Sequence, residues 1–290
     1  MKIFKHNPEH KVLAILSFLI PFIVYLKTIA PTVSFWDCGE FITCSKILGV
    51  PHPPGAPLYL LIGKIFTFLS FIKDVAVRVN LFSVFASSFT VLVLYLTLVR
   101  IIKEWKGNPK TTEEKVIVYS GAFLGALSFA FTDSFWFNAV EAEVYAFSIL
   151  IASTALWLTI LWMDNCEDYR SLKFLIFVIY VAGLSIGVHL LCLLVIPTIF
   201  FLIYITKKEL FTRVDLWVLI PVLVFIGYSV YILILIRSGQ NPPIDENNPE
   251  NWSNFKYYLK REQYGQWSIF VRKAPFWSYQ IKKMYIRYFG

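Results

Sequence analysis

A chain of 290 residues that is 57% hydrophobic and 18% aromatic carries more apolar surface than one soluble core of this size can hide, because interior volume grows slowly relative to surface. A bilayer takes the surplus; disorder, collagen-like repeats and a disulfide-stapled secreted module are excluded, the four cysteines being scattered along the chain. The net charge of +8 does not mark a nucleic-acid partner, since the basic residues are arranged loop by loop as membrane topology demands.

Read against the ~17 to 25 residues that a crossing needs, apolar runs fall at 12–30, 79–99, 116–132, 144–163, 172–188, 190–206 and 216–236. The expected fold is therefore an all-α polytopic membrane protein with about seven transmembrane helices. The first run follows a basic segment containing Lys2, Lys5 and Lys11, but it is long and lacks an A-x-A cleavage site, so it reads as a retained helix. Basic residues recur at 100–115, 164–173 and 207–213, while 133–143 and the turn near 189 have none. By the positive-inside rule the N-terminus is cytoplasmic and the uncharged turns lie on the other side.

This alternation decides the segment from Pro57 to Ile72, which is apolar but has Lys64 at its centre and a stripe of Gly63, Thr67, Ser70 and Asp74. It is expected to be an amphipathic helix lying flat on the membrane surface, with its polar stripe toward water. Residues 31–78 then form one long extracytoplasmic loop, a length that usually carries function. Residues 1–237 make the transmembrane domain. The polar, proline-rich stretch beginning SGQNPPIDENNPENW opens an extracytoplasmic segment, 238–290, whose ending in IRYFG suggests a longer protein.

Candidate chemistry gathers at the outer ends of the spans. Asp37 and Glu40 are spaced i, i+3, hence on one helical face beside Trp36: either a general base or acid/base pair, or a helix cap. The run Pro51-His-Pro-Pro-Gly-Ala-Pro57 fixes a turn, in which His52 either contacts a phosphate or moves a proton, or is a hydrogen-bonded bystander. Glu141 and Glu143, with Trp136 and Tyr145, indicate a polar cavity or ordinary interfacial polarity. His189 sits between two short spans near Gly183 and Gly187, and Arg237 either snorkels or grips a phosphate. No Walker loop, dinucleotide fingerprint or Cys-x-x-Cys pair is present, and one sequon, Asn251-Trp252-Ser253, lies in the outer tail.

Four stretches, APTVSFWDCGEFITCSKILGVPHPPGAPLYLLIGK, SFWFNAVEAEVYAF, GLSIGVHL and NPPIDENNPENWSNFKYYLKREQYG, together resemble the DUF2723 family of GT-C-type membrane glycosyltransferases. The resemblance spans nearly the whole chain and implies a GT-C-like fold and a protein O-mannosyltransferase-like activity. It implies a polyprenyl-phosphate sugar as donor, a Ser or Thr hydroxyl of an exported protein as acceptor, and inversion at the anomeric carbon. Asp37 would be the base, with Glu40 the alternative. Glu141, Glu143, Trp36 and Tyr145 would orient sugar or acceptor, and His52, His189, Arg237 and Lys64 would face the donor phosphate. No cofactor is required, although the clustered carboxylates leave a divalent metal open. The bilayer is the remaining partner, and a bacterial inner membrane the expected location. The rival readings are a polyprenyl-phosphate transporter or flippase, which would need midplane charges and repeated helices, and a non-catalytic membrane scaffold.

Overall fold

The computed structural model describes residues 7–265 and 274–288, so Lys2, Lys5 and the closing Phe289-Gly290 lie outside it. Among the described residues the architecture is helical, and a single isolated bridge, Val50 with Asp245, joins two extended segments. The helices are α1 (Pro8–Thr28), α2 (Cys38–Ile47), α3 (Pro57–Phe66), α4 (Val75–Lys106), α5 (Thr112–Ala130), α6 (Asp133–Ala139), α7 (Val144–Met163), α8 (Leu172–Ser185), α9 (Ile196–Lys207), α10 (Val214–Tyr228), α11 (Ile232–Ser238) and α12 (Trp252–Leu259).

Pro8 opens α1 at a position where its missing N–H costs nothing. The Asp74 side chain caps α4 by accepting from the Ala76 N–H, and a Thr111/Glu114 capping box starts α5. The long α4 is the central pillar, packed against α1, α5 and α7. On the α1–α5 side, the Tyr25 hydroxyl donates to the Ala130 carbonyl at 2.7 Å. A second cluster around Tyr59, Phe82 and Phe147 joins α3, α4 and α7. α8 and α10 approach closely through glycine: a Cβ on Gly183 would lie 2.5 Å from the Val224 carbonyl oxygen.

Among the described residues, five segments are long and apolar enough to cross a membrane: Pro8–Thr28, Val75–Lys106, Val144–Met163, Leu190–Thr212 and Val214–Ser238. A sixth follows if Thr112–Ala130 and Asp133–Ala139, bent by 70°, count as one. The bundle surface is apolar, with Ile15, Phe201 and Phe225 among many exposed side chains. This is a helical integral membrane protein. Seven crossings were expected, and 172–188 is the run that falls short. α8 has 14 residues, or ~21 Å against a ~30 Å hydrocarbon layer. It stops at Ser185 because Gly187 and Val188 turn back onto Leu184 and Ser185, and His189 is extended with φ −164°.

The amphipathic segment also differs from expectation. The helix covers only Pro57–Phe66, and the stripe is divided: Gly63 and Thr67 are buried, while Ser70 and Asp74 are exposed, as are Ile65, Phe68 and Phe71. The Thr67 hydroxyl is satisfied internally by the Lys64 carbonyl at 2.7 Å. The loop after α1, the α5–α7 connection and the start of α4 share one end of the bundle. There the Ala30 N–H donates to the Val140 carbonyl at 3.0 Å and the Asn80 carboxamide to the Ala30 carbonyl at 3.0 Å. At the opposite end Arg100 pairs with Asp164 at 2.5 Å.

Candidate active site

The site is built on the N-terminus of α2. Trp36 turns the chain into the helix through a left-handed backbone, φ 59°, a conformation costly for a bulky residue, and its indole is 86% exposed. Asp37 occupies the N-cap position, and its main-chain carbonyl accepts from the Phe41 N–H at 3.0 Å. Its side chain makes no capping hydrogen bond and is 58% exposed. The capping reading therefore does not describe this carboxylate.

Glu40, one turn on, faces the proline-fixed turn. Its Oε1 accepts the His52 main-chain N–H at 2.8 Å and its Oε2 meets His52 Nδ1 at 2.5 Å. On the other edge of the imidazole, Nε2 lies 4.0 Å from Asp37 Oδ2. His52 thus bridges the two carboxylates. The Glu40 hydrogen bond raises the His52 pKa against the opposing effect of burial, and the charges of Glu40, Asp37 and Glu246 add to the rise. Burial pushes Glu40 upward, but the hydrogen bonds and charge of His52 prevail and hold it below the usual carboxylate range. The two side chains are a hydrogen-bonded pair in which each shifts the other toward its charged form.

Glu141 and Glu143 come to the same end but lie underneath, 2% and 5% exposed. Glu141 Oε2 accepts from the Ser34 hydroxyl at 2.7 Å, and Glu143 Oε1 is 3.8 Å from Cys38 Sγ. Burial raises both carboxyls; for Glu143, reinforced by the charges of Asp37 and Glu141, the value reaches about 7. Tyr145 is 5.4 Å, edge to face, from His189. His189 Nδ1 accepts from the Leu191 N–H at 3.1 Å, which leaves Nε2 as the ring's donor. Burial, and then the charge of Arg261, lower the His189 pKa.

Arg237 and Lys64 are elsewhere. Arg237 donates to the Leu48 carbonyl at 2.8 Å and the Ile47 carbonyl at 3.1 Å, and also to Gln240. Lys64 Nζ donates to the Lys46 carbonyl at 2.5 Å. Both cations finish the C-terminal end of α2, where carbonyls are orphaned and the helix dipole is negative, ~15 Å from Asp37 along a ten-residue helix. Arg237 neither snorkels nor stands beside the carboxylates.

Sequence reasoning did not single out Ser34, Glu246 or Tyr258. Glu246 reaches the site because its N–H donates to the Val50 carbonyl at 3.0 Å, and Tyr258 because its hydroxyl donates to the Pro51 carbonyl at 2.6 Å. The sequence signal for Glu246 is the NPPIDENNPENW stretch in which it lies. Asp37, Glu40 and His52 each offer a ligand atom, all within 4.8 Å of one another. A divalent cation on this set would take the lone pair of a neutral His52, which the raised pKa of the imidazole opposes.

A helical membrane protein with carboxylates and imidazole at one end of its bundle is the class defined by fold and site. Residues 37–212 match the family described as Protein O-mannosyl-transferase TMEM260 N-terminal domain, and the chain belongs to that family. It is 26% identical over 269 residues to Protein O-mannosyl-transferase tmem260 of Dictyostelium discoideum, covering 88% of this chain and 31% of the relative. It is 24% identical over 248 residues to Protein O-mannosyl-transferase TMEM260 of Mus musculus, covering 85% and 33%. The chain thus spans about a third of the length of these curated relatives. No solved structure matches it.

Proposed function

We propose that this chain is the membrane-embedded catalytic portion of a GT-C-type glycosyltransferase. It would move a sugar, mannose by the names of its relatives, from a polyprenyl-phosphate donor to a Ser or Thr hydroxyl of an exported protein. The reaction would take place at the Asp37 end of the bundle, and the loop charges support an extracytoplasmic setting for that end. The observation that carries this reading is the exposed Asp37 carboxylate, which makes no capping bond to its helix and lies 4.0 Å from the His52 imidazole anchored to Glu40.

Asp37 accepts the proton of the acceptor hydroxyl as that oxygen forms its bond to the anomeric carbon. The bond from this carbon to the phosphate oxygen breaks, and the electron pair leaves with the polyprenyl phosphate. The positive edge of His52 and the Nε2–H of His189 stabilise the departing charge. Trp36 and Tyr145 offer aromatic faces to sugar or acceptor, while Glu141 and Glu143 act from beneath by holding Ser34 and Cys38. An apolar cleft between α7, α8, α9 and α10, lined by Ile151, Val181, Ile199 and Val224, also includes Ser185 and Cys192, whose backbones bond that of His189. Its chemistry suits the polyprenyl chain.

The test is transfer by the purified protein from polyprenyl-phosphate mannose to Ser/Thr peptides, read by mass spectrometry. A hexose added to the peptide hydroxyl is expected; donor binding without any transferred sugar would instead favour the transporter reading.

A further inference from the structure

Tyr258 is fully buried on α12, and its hydroxyl donates to the Pro51 carbonyl oxygen at 2.6 Å. That carbonyl and the His52 N–H belong to one peptide group, and a planar trans peptide points them in opposite directions. The His52 N–H is the group bound by Glu40 Oε1 at 2.8 Å. One peptide plane is therefore held at both edges, by a phenol from the C-terminal segment and by a carboxylate of α2. The same phenol closes the far end of the turn: Gly55 has φ +91°, its N–H donates to the His52 carbonyl at 2.9 Å, and a Cβ there would lie 2.3 Å from the Tyr258 oxygen. The ring is fixed in a cluster with Val50, Tyr231, Ile234 and Phe255. Val50 is tied in turn by its N–H to the Ile244 carbonyl at 2.8 Å. Burial raises the phenol pKa well above its ordinary value, so Tyr258 remains a donor at working pH.

We propose that Tyr258 is a positioning residue of the Asp37–His52–Glu40 site: by fixing the Pro51–His52 peptide it sets the orientation in which the imidazole joins Glu40 to Asp37. Its kinetic consequence rests on the transferase reading, whereas its geometric content does not. A chain of hydrogen bonds running phenol, peptide, carboxylate also polarises each member, which strengthens the Glu40 contact. The segment after α11 is on this account part of the site.

Tyr258→Phe keeps the ring and removes only the hydroxyl. In the intact protein in detergent, kcat is expected to fall about tenfold, the scale of one hydrogen bond lost at a buried carbonyl, with KM for the lipid donor changed by less than about twofold. The pH midpoint of His52 modification by diethylpyrocarbonate, read on the peptide containing residues 50–56, should move down toward that of an ordinary imidazole, because Glu40 is no longer aligned. Tyr257→Phe, at the exposed neighbouring position, should move neither. A folded Tyr258→Phe protein with an unchanged midpoint overturns the proposal, whether or not kcat falls, since general loosening alone would lower kcat. If that variant does not fold, amide exchange in the parent decides. The 50–56 segment should open together with α12, and opening of 50–56 while α12 stays protected overturns the proposal. A parent that transfers no sugar refutes the transferase reading and leaves the midpoint and exchange measurements to judge Tyr258.

Discussion

Asp37 and Glu40 are one helical turn apart yet meet opposite surroundings, and this gives them separable behaviour. Glu40 is held below its usual 4.5 and His52 above its usual 6.5. The contribution of Glu40 to stability is present above its ordinary value and lost as pH falls through the lowered one; that of His52 is complete below 6.5 and lost as pH rises through its raised value. Glu143 has the opposite sign for an acid. Raised to about 7, it costs stability progressively as pH rises from 4.5 to 7. Glu143→Gln should therefore raise the thermal unfolding midpoint at pH 8 and leave it nearly unchanged at pH 5; a midpoint unaffected at pH 8 would deny the buried carboxyl its penalty. The same pair bears on metals, because the raised His52 pKa opposes the neutral imidazole that a ligand must be. Transfer is expected to survive chelator treatment, and activity lost to a chelator and restored by a divalent cation would reassign the three side chains to a metal.

α2 orders the site as an element. Its N-terminal end presents Asp37, and its C-terminal carbonyls are closed by Lys64 and Arg237, cations placed where the helix dipole favours them. Arg237→Gln should lower stability by about 1.5–3 kcal/mol, the range of charged hydrogen bonds, while leaving the donor KM unchanged; a donor KM raised tenfold or more would return Arg237 to the phosphate. The i, i+3 spacing of Asp37 and Glu40 and the rigid Pro51–Pro57 turn were readable locally, since both depend on neighbours in sequence. The partnership of Arg237 with carbonyls 189 and 190 residues away was not, because only tertiary packing creates it. The stripe on α3 shows why polarity patterns mislead at a membrane. Gly63 turns inward because its lack of a Cβ lets α3 approach Ser45 of α2, while Ser70 and Asp74, beyond the end of α3, stay exposed.

For the whole molecule, the charge pattern of the loops sorted them to the two ends that the bundle displays, but which end faces the cytoplasm rests on the positive-inside rule. The native cysteines serve that question poorly, as Cys38 and Cys44 are fully buried. Phe71→Cys puts a thiol at an 80% exposed position on the Asp37 end. It should react with a membrane-impermeant maleimide in intact cells, while Cys166, at the opposite end, should react only after permeabilisation. The reverse pattern would invert the molecule. The apolar run 172–188 is longer than its helix, Leu172–Ser185, because composition does not reveal where Gly187 and His189 break it.

The central claim is that Asp37 is the base of a sugar transfer. Its most direct measurement compares Asp37→Asn with the parent in transfer from a polyprenyl-phosphate sugar to a Ser/Thr peptide, with membrane insertion and thermal midpoint checked in parallel. Loss of about 10²- to 10⁴-fold in kcat, the usual contribution of a positioned base, with insertion and midpoint retained, is the predicted result; a variant that inserts, folds and transfers sugar at the parental rate would contradict it.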